Sequence, residues 1–479
     1  MSSPSQNALY LALDQGGHGS RAIVFDARGK KRVESHCSVE SRVEGERVEL
    51  EAEALVASLI ESAESACRQL GEARHQIEAV GLATQRSNIA CWARDTGEPL
   101  SPIISWQDRR APDKLKGLDH QTVHDATGLF PNPHYGASKM AWCLQHLESV
   151  QAAAEGGGLM LGPMASYLAA RLTGAPALAD PANASRTLLW NIHSRDWDAE
   201  LCRHFSIERS WLPACTDSRA EFGQISILDL ALPLRVVTGD LSAAAFARGR
   251  PDPDTAYVTV GTGGFVQRLT RQLVDGAERL LNGMVWADGE DTWYSLEGTV
   301  NGAGSALSWL AREQGVEEAT ITRQLATWCD DIEPESVFLN GVSGLGSPYW
   351  RGDFPSRFVD GGDLSERAVA VVESIVFLLV DNLRAMDEVM PPAQSLVIGG
   401  GLSQVDGFCQ RLADLARVPV RRSGEREGTA KGLACLLAGQ PEAWQSVDST
   451  RFEPGQGEGI RRRYRRWREQ MDRALAESA

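Results

Sequence analysis

The chain has 479 residues, enough for two or three domains at roughly 100–200 residues each. With 43% hydrophobic and 23% charged residues it has the composition of a folded globular protein, not a disordered one. Lys plus Arg number 48 against 64 Asp plus Glu, a net charge of −16; that argues against a nucleic-acid binder or an anionic-membrane binder but leaves room for an anionic cofactor held by local donors.

Nine cysteines are scattered without a CxxC pair, the pattern of free thiols in a reducing cytoplasm rather than of a disulfide framework or a zinc site. Met1 to Ala8 lack the basic and apolar segments of a signal peptide. No apolar run approaches the roughly 18 residues of a membrane span; the most apolar stretch, Val369 to Val380, is broken by Glu373 and reads as a buried helix.

Along the chain, Leu9 to Leu13 reads as a strand, Asp14-Gln-Gly-Gly-His-Gly19 as a tight turn, and Arg21 to Phe25 as a second strand. After a turn at Asp26 to Gly29 and a polar stretch, Leu55, Leu59, Ala63, Cys67 and Leu70 recur at helical spacing over 51–70. A buried-type strand, Ile77 to Ala83, ends at Thr84-Gln85-Arg86. Leu234 to Gly239 reads as a strand closing on Asp240, followed by the small-residue run Ser242 to Ala245.

The second half repeats this order. Ala256 to Val260, the turn Gly261-Thr-Gly-Gly264 and Phe265 to Leu269 again read strand, glycine turn, strand. A helix over 364–389 follows, with Asp363 and Glu366 placed as a capping box. A strand over Ser395 to Ile398 runs into Gly399-Gly-Gly401, and a helix over 405–416 comes next. The pattern is that of a duplication, two α/β domains each opening with a glycine-turn hairpin. Gly249-Arg-Pro-Asp-Pro-Asp254 interrupts the periodicity and sets the boundary, giving domains 1–248 and 249–479. The six arginines of 461–468, interleaved with Tyr464 and Trp467, read as a terminal helix that packs its aromatics on the body.

The chain has no GxxxxGK[ST] loop, GxGxxG turn, HExxH or GxSxG. The two glycine turns offer another way to hold phosphate, because successive unshielded N–H groups form a nest for anionic oxygens. Asp14, at the end of a strand beside Gly16, Gly17, His18 and Gly19, is placed to hold Mg²⁺ directly or through water. Asp240 has two readings: a general base that reaches a substrate hydroxyl, or a helix N-cap.

In order along the chain stand Asp14-Gln-Gly-Gly-His-Gly-Ser-Arg21, Ser105-Trp-Gln-Asp-Arg-Arg110, Asn183-Ala-Ser-Arg-Thr187, Asn191-Ile-His193, Gly239-Asp240, Gly261-Thr-Gly-Gly-Phe265, Ser343-Gly-Leu-Gly-Ser-Pro-Tyr-Trp350, Gly400-Gly401 and Thr429-Ala-Lys-Gly432. Together these resemble the FGGY carbohydrate kinases over nearly the whole chain, and within them most closely the glycerol kinases. The resemblance implies two RNase H-like domains of the actin-like ATPase type around a central cleft, with the acceptor on the N-terminal side and the nucleotide on the C-terminal side. It implies ATP and Mg²⁺ as cofactors and phosphoryl transfer to a hydroxyl of a small sugar or polyol. It implies Asp240 as general base, Asp14 and Asp240 as the metal-side carboxylates, and Gln85, Arg86, Ser87, Trp106, His134, Leu241 and Phe265 around the acceptor. Gly16, Gly17, His18, Gly19, Ser20, Arg21, Gly261, Thr262 and Gly263 would lie along the phosphates, and Gly400, Gly401 and Gln404 beside the adenosine. A homo-oligomer such as a dimer is a further implication.

Three positions depart from the glycerol kinase pattern. Ser87 replaces the glutamate of Q-R-E, Leu241 replaces the glutamine of G-D-Q, and His134 falls on the tyrosine of D-P-Y-F-S-A-T-K when Pro133 and Lys139 are aligned. In that family those three side chains contact glycerol. Their loss, with Gly136 in place of a serine, makes room and leaves one wall apolar, so the expected acceptor is larger than glycerol. Gly17, His18 and Gly19 replace two threonines and a serine in the first phosphate turn, so backbone N–H groups remain as donors; His18 either donates to a phosphate or faces solvent. A true glycerol kinase, and a non-catalytic sugar or nucleotide sensor on the same fold, are the alternatives.

Overall fold

The computed structural model describes residues 7–425, 427–441, 444 and 449–477. The chain divides into two units: 1–251 with 283–294 and 427–446, and 252–282 with 295–426 and 447–479. The first changeover falls within the proline-interrupted 249–254 segment, and two later segments return to the first unit.

In the first unit, Leu9–Gly16, Gly19–Asp26 and Lys31–Ser38 form an antiparallel meander. Ile77–Thr84 joins Leu9–Gly16 in parallel, and Leu230–Gly239 joins Ile77–Thr84 in parallel. Gln224–Ile227 closes that edge. Leu9 to Leu13 are all buried, because both faces of the sheet are covered; such strands read as continuous apolar runs. Helix Ala52–Leu70 buries Leu55, Leu59, Ala63 and Cys67 on one face. Helix Gly428–Leu437 covers the other, so close that a Cβ on Gly81 would fall 2.8 Å from Leu433 Cγ.

The second unit uses the same plan. Thr255–Val260 pairs antiparallel with Gly264–Thr270 and parallel with Ser395–Gly399, which pairs parallel with Val420–Ser423. Asp291–Val300 lies beside Gly264–Thr270, as Lys31–Ser38 lies beside Gly19–Asp26. Both sheets therefore run third, second, first, fourth, fifth among these strands, which is the order a duplication produces. Helix Leu364–Asp387 fills the core, and Asp363 caps it by accepting the Glu366 N–H at 3.0 Å. Glu373, 2% exposed inside that helix, is paired with Arg411 and Arg463. The terminal helix Glu458–Glu477 buries Tyr464 and Trp467, and Trp467 Nε1 donates to the Phe338 carbonyl at 3.0 Å. The arginine run thus belongs to a packed helix.

The hairpin strands run longer than the apolar residues alone indicate, reaching Gly16 and starting again at Gly19. Gln15 and Ser20 extend the ladder because they satisfy each other: Ser20 Oγ donates to Gln15 Oε1 at 2.7 Å, and both are fully buried. The polar stretch before residue 51 contains three strands, Lys31–Ser38, Ser41–Glu44 and Arg47–Leu50. Lys31–Ser38 is a sheet edge and Ser41–Glu44 is exposed throughout, so they carry little of the apolar signal that marks a strand.

Candidate active site

Three adjacent parallel strands of the first unit end together. Ala83 pairs with Asp14 on one side and with Thr238 on the other. The carboxyl ends of these strands therefore deliver Asp14, Gln85-Arg86-Ser87 and Asp240 to one edge of the sheet. At about 4.8 Å per strand, the outer two strands lie about 10 Å apart. This edge is where open α/β sheets place ligands.

Asp14 is 3% exposed. Burial raises its carboxyl to about 6, against the pull of Arg21 and with further upward pushes from Asp240 and Glu427. Arg21 bridges two carboxylates, Asp14 at 2.9 Å and Glu427 at 2.6 Å. Asp240 opens a short helix, Asp240–Ala244, at its first position; Gly239 occupies the N-cap. Asp240 Oδ1 accepts the Leu241 N–H at 2.7 Å. Burial raises the Asp240 carboxyl, while the Arg86 charge and that N–H oppose the rise. The Arg86 stem lies across Gly239, where a Cβ would fall 2.6 Å from Arg86 Cγ.

Helix Gly428–Leu437 supports the Asp240 helix from behind. Thr429 Oγ1 donates to the Asp240 carbonyl at 3.4 Å. Gly432 lets the two backbones meet, since a Cβ there would lie 2.6 Å from the Ala243 carbonyl carbon. Thr429 to Gly432 thus pack in the unit that carries Asp240. A glycine inside a helical pattern was the available signal.

The first glycine turn is a two-residue hairpin, Gly17-His18, between paired Gly16 and Gly19. Three carbonyls in and beside it are occupied: Gln15 Nε2 donates to Gly16 O at 3.1 Å and Gly19 O at 3.5 Å, and Val39 N–H donates to His18 O at 3.1 Å. Gly19 has φ +154° and a Cβ there would collide with the Cys37 carbonyl. His18 is exposed. The Ser20 hydroxyl faces the interior, against Gln15 and Ser58, which leaves only the backbone of Ser20 for a phosphate.

Around the acceptor positions, Gln85 N–H donates to Gln15 O at 3.3 Å, and Gln85 Nε2 would lie 3.0 Å from a Cβ on Gly17. The Trp106 and His134 rings lie 5.4 Å apart and tilted. Burial, and the charges of Lys139, Arg109, Arg186 and Arg86, hold the His134 imidazole well below its usual range, so it is neutral. Ser87 has φ +66°, and its hydroxyl is buried without a hydrogen-bond partner. Leu241 is half-buried. The structure thus brings Asp14, Gln85, Arg86 and Asp240 to one sheet edge and sets Trp106 against His134. Two further residues carry this arrangement: Asn88, which no sequence motif singles out, and Lys139, which enters the sequence analysis only as an alignment point. Asn88 Oδ1 accepts the Trp106 N–H at 2.7 Å, and Lys139 Nζ donates to three carbonyls.

In the second unit, the carbonyls of the turn Gly261–Gly264 are likewise drawn inward. Gly304 N–H donates to Gly261 O at 2.9 Å, while Ala303 and Ser305 N–H donate to Thr262 O at 3.2 and 3.1 Å. Gly400 has φ +93°, and a Cβ there would collide with the backbone of Val260. A Cβ on Gly261, Gly399 or Gly401 would meet open space. Phe265 is 40% exposed. Gln404 is exposed, with its Nε2 3.3 Å from Ser403 Oγ.

Models of the N-terminal and C-terminal domains of the FGGY family of carbohydrate kinases match residues 9–233 and 256–439. The chain belongs to that family. It is 35% identical over 469 residues to a glycerol kinase of Methylobacterium nodulans, covering 93% of each chain. It is 36% identical over 493 residues to a glycerol kinase of Bradyrhizobium diazoefficiens, covering 95% and 96%. The fold matches a Plasmodium falciparum glycerol kinase solved with ADP (TM-score 0.87, 22% identity, 98% of each chain). It also matches a ligand-bound xylulose kinase of Lactobacillus acidophilus (TM-score 0.82, 19% identity, 98% of each chain). This FGGY kinase therefore has the two-domain actin-like ATPase fold, and it is an ATP-dependent carbohydrate kinase with ATP and Mg²⁺ as cofactors.

The residues present fit those cofactors. The Gly16, His18 and Gly19 carbonyls of the first turn and the Gly261, Thr262 and Gly263 carbonyls of the second accept hydrogen bonds within the protein, the last from the Gly261 N–H, so what the turns can offer an anion is their remaining N–H groups. Asp14 supplies a buried carboxyl at the same sheet edge. Among the described residues no three His, Cys, Asp or Glu side chains are grouped to hold a metal. Mg²⁺ keeps several waters and is shared between phosphates and one or two carboxylates. Among the described residues, no helix is long and apolar enough to cross a membrane.

Proposed function

We propose that this FGGY kinase phosphorylates a hydroxyl of a small sugar or polyol larger than glycerol. The observation that carries the reading is the acceptor set. Arg86, Trp106 and Asp240 retain the glycerol kinase identities, whereas Ser87, His134 and Leu241 do not. A site built to hydrogen-bond a small triol discriminates through those bonds, each worth about 1–3 kcal/mol when left unmade.

Asp240 acts as general base, accepting the proton of the acceptor hydroxyl on a carboxylate oxygen; its half-buried position is the kind that tunes a carboxylate for this task. Arg86 and Trp106, with Gln85, Ser87, His134, Leu241 and Phe265, shape and orient the acceptor. Bound MgATP supplies the phosphoryl group. Asp14 and, through it, Arg21 organise charge at the metal side, and the turns Gly16–Arg21 and Gly261–Gly263 hold phosphate oxygens through backbone N–H groups. Gly400, Gly401 and Gln404 flank the adenosine. Catalysis is then positioning and electrostatic stabilisation, as in other phosphoryl transfers. On this reading residues 1–248 serve the acceptor and 249–479 the nucleotide. Its nine free cysteines support a cytoplasmic enzyme.

Glycerol itself is the second reading, favoured by the names of relatives about 35% identical over nearly their whole length. Acceptor-dependent ADP release across glycerol, C4–C6 polyols, pentuloses, hexuloses and sugar acids decides between them. A kcat/KM highest for glycerol would refute the larger acceptor, and ATP binding with silence across the panel would favour a sensor.

A further inference from the structure

Lys139 lies on helix Gly136–His146 and is 0% exposed. Its ammonium is bonded to main-chain oxygens rather than to a carboxylate: Nζ donates to Ser87 O at 3.3 Å, Ser105 O at 2.8 Å and His134 O at 2.7 Å. An ammonium has three N–H donors and no acceptor, so three carbonyls saturate it. Burying a cation on neutral partners is costly. Burial pushes the Lys139 ammonium well below its usual range, and the charges of Arg109 and Arg110 add to that while Asp108 opposes it.

The three carbonyls are not arbitrary. Ser87 follows Arg86, Ser105 precedes Trp106, and His134 is itself one of the three changed acceptor positions. The segments that carry the proposed acceptor contacts, far apart in sequence, converge on one nitrogen. Two of them carry a second tie, since Asn88 Oδ1 accepts the Trp106 N–H at 2.7 Å. Ser87 is held at φ +66°, a backbone conformation an L-residue keeps only when its surroundings impose it, and its carbonyl is one of the three.

We infer that Lys139 is a positioning residue of the acceptor site: its ammonium fixes the loops at Ser87, Trp106 and His134 relative to one another without touching the acceptor. The inference rests on the reading of those loops as acceptor-binding.

The test compares the full-length chain with Lys139→Met and Lys139→Gln, and with Asp381→Asn as a control. Asp381 anchors Tyr349, Tyr464 and Arg468 in the second unit, so its loss reports stability alone. Amide hydrogen exchange is read over 85–89, 105–109 and 132–137. ADP release is read with glycerol, D-xylulose and D-gluconate as probes. The expected result is exchange at least about tenfold faster in those three segments, with strand Leu9–Gly16 and helix Ala52–Leu70 unchanged. With any probe the unmodified chain turns over, the acceptor KM rises by about tenfold or more and the KM for ATP stays within about twofold. Asp381→Asn moves neither. Uniform or unchanged exchange, an equal rise in both KM values, or failure of both lysine variants to fold would overturn the assignment. If the unmodified chain turns over no probe, that counts against the proposed acceptors, and the exchange pattern alone decides the role of Lys139.

Discussion

Gly432→Ala is the sharpest available probe of how the candidate base is held. Helix Gly428–Leu437 rests directly on Asp240–Ala244, and the added Cβ would stand 2.6 Å from the Ala243 carbonyl carbon and 3.1 Å from the Ala247 nitrogen. Carbon atoms in good contact lie about 3.5 Å apart, and the Ala243 carbonyl oxygen stands closer still to the added Cβ, so the two helices must separate by more than about 1 Å. The obstacle is backbone on both sides, and no flexible side chain can swing away. Overpacking of this kind costs about 1–3 kcal/mol of stability, which a two-unit chain of this size survives. The functional cost is larger, because Asp240 opens the displaced helix and a misplacement of about 1 Å can lower a rate by about 10²-fold. The assay is steady-state ADP release with the preferred acceptor, alongside nucleotide binding by titration. We expect kcat to fall by about two orders of magnitude while ATP affinity stays within about threefold. A folded Gly432→Ala chain with undiminished kcat would refute the argument, showing either that the helices part without moving Asp240 or that Asp240 is not the base.

Three further predictions concern charge and specificity. Burial raises the Asp14 carboxyl to about 6, so acid neutralises it more readily than an ordinary carboxylate, and the apparent Mg²⁺ affinity in the presence of nucleotide should fall between pH 7 and pH 5. The same upward shift means the folded chain holds a proton that the unfolded chain releases between about pH 4 and pH 6, so Asp14 makes the free chain less stable as pH rises through that window; denaturant titrations of the unmodified chain and Asp14→Asn should diverge there in that sense, and parallel curves would contradict it. Ser87→Glu combined with Leu241→Gln restores two polar groups of the glycerol kinase pattern, and kcat/KM for glycerol should rise by about tenfold or more; no gain in a folded variant would mean that acceptor choice is set elsewhere.

Much of this organisation is legible in the chain itself, for physical reasons. The strands at 9–16 and 77–84 announce themselves because both faces are covered, that at 255–260 because Ala256, Val258 and Val260 are buried in alternation, and the glycine positions Gly19 and Gly400 because collisions there leave no choice of residue. What stays hidden is of two kinds. Strands 31–38 and 41–44 are edge or exposed elements, with no apolar period to betray them. The supports of the site are long-range: Lys139 acts on carbonyls, which every residue has, and Gly432 matters only because Ala243, distant in sequence, lies beneath it. Nor does the sequence show that Ser20 turns its hydroxyl inward, a consequence of the Gln15 and Ser58 side chains it meets.

Whether Asp240 accepts the proton of the acceptor hydroxyl in a phosphoryl transfer is decided by one comparison. ADP release is measured for the unmodified chain and for Asp240→Asn with the same acceptor, with ATP binding measured on both. If Asp240 is the base, release depends on the acceptor in the first, falls by about 10²-fold or more in the second, and ATP affinity is nearly equal in the two. Turnover by Asp240→Asn close to that of the unmodified chain would contradict that role.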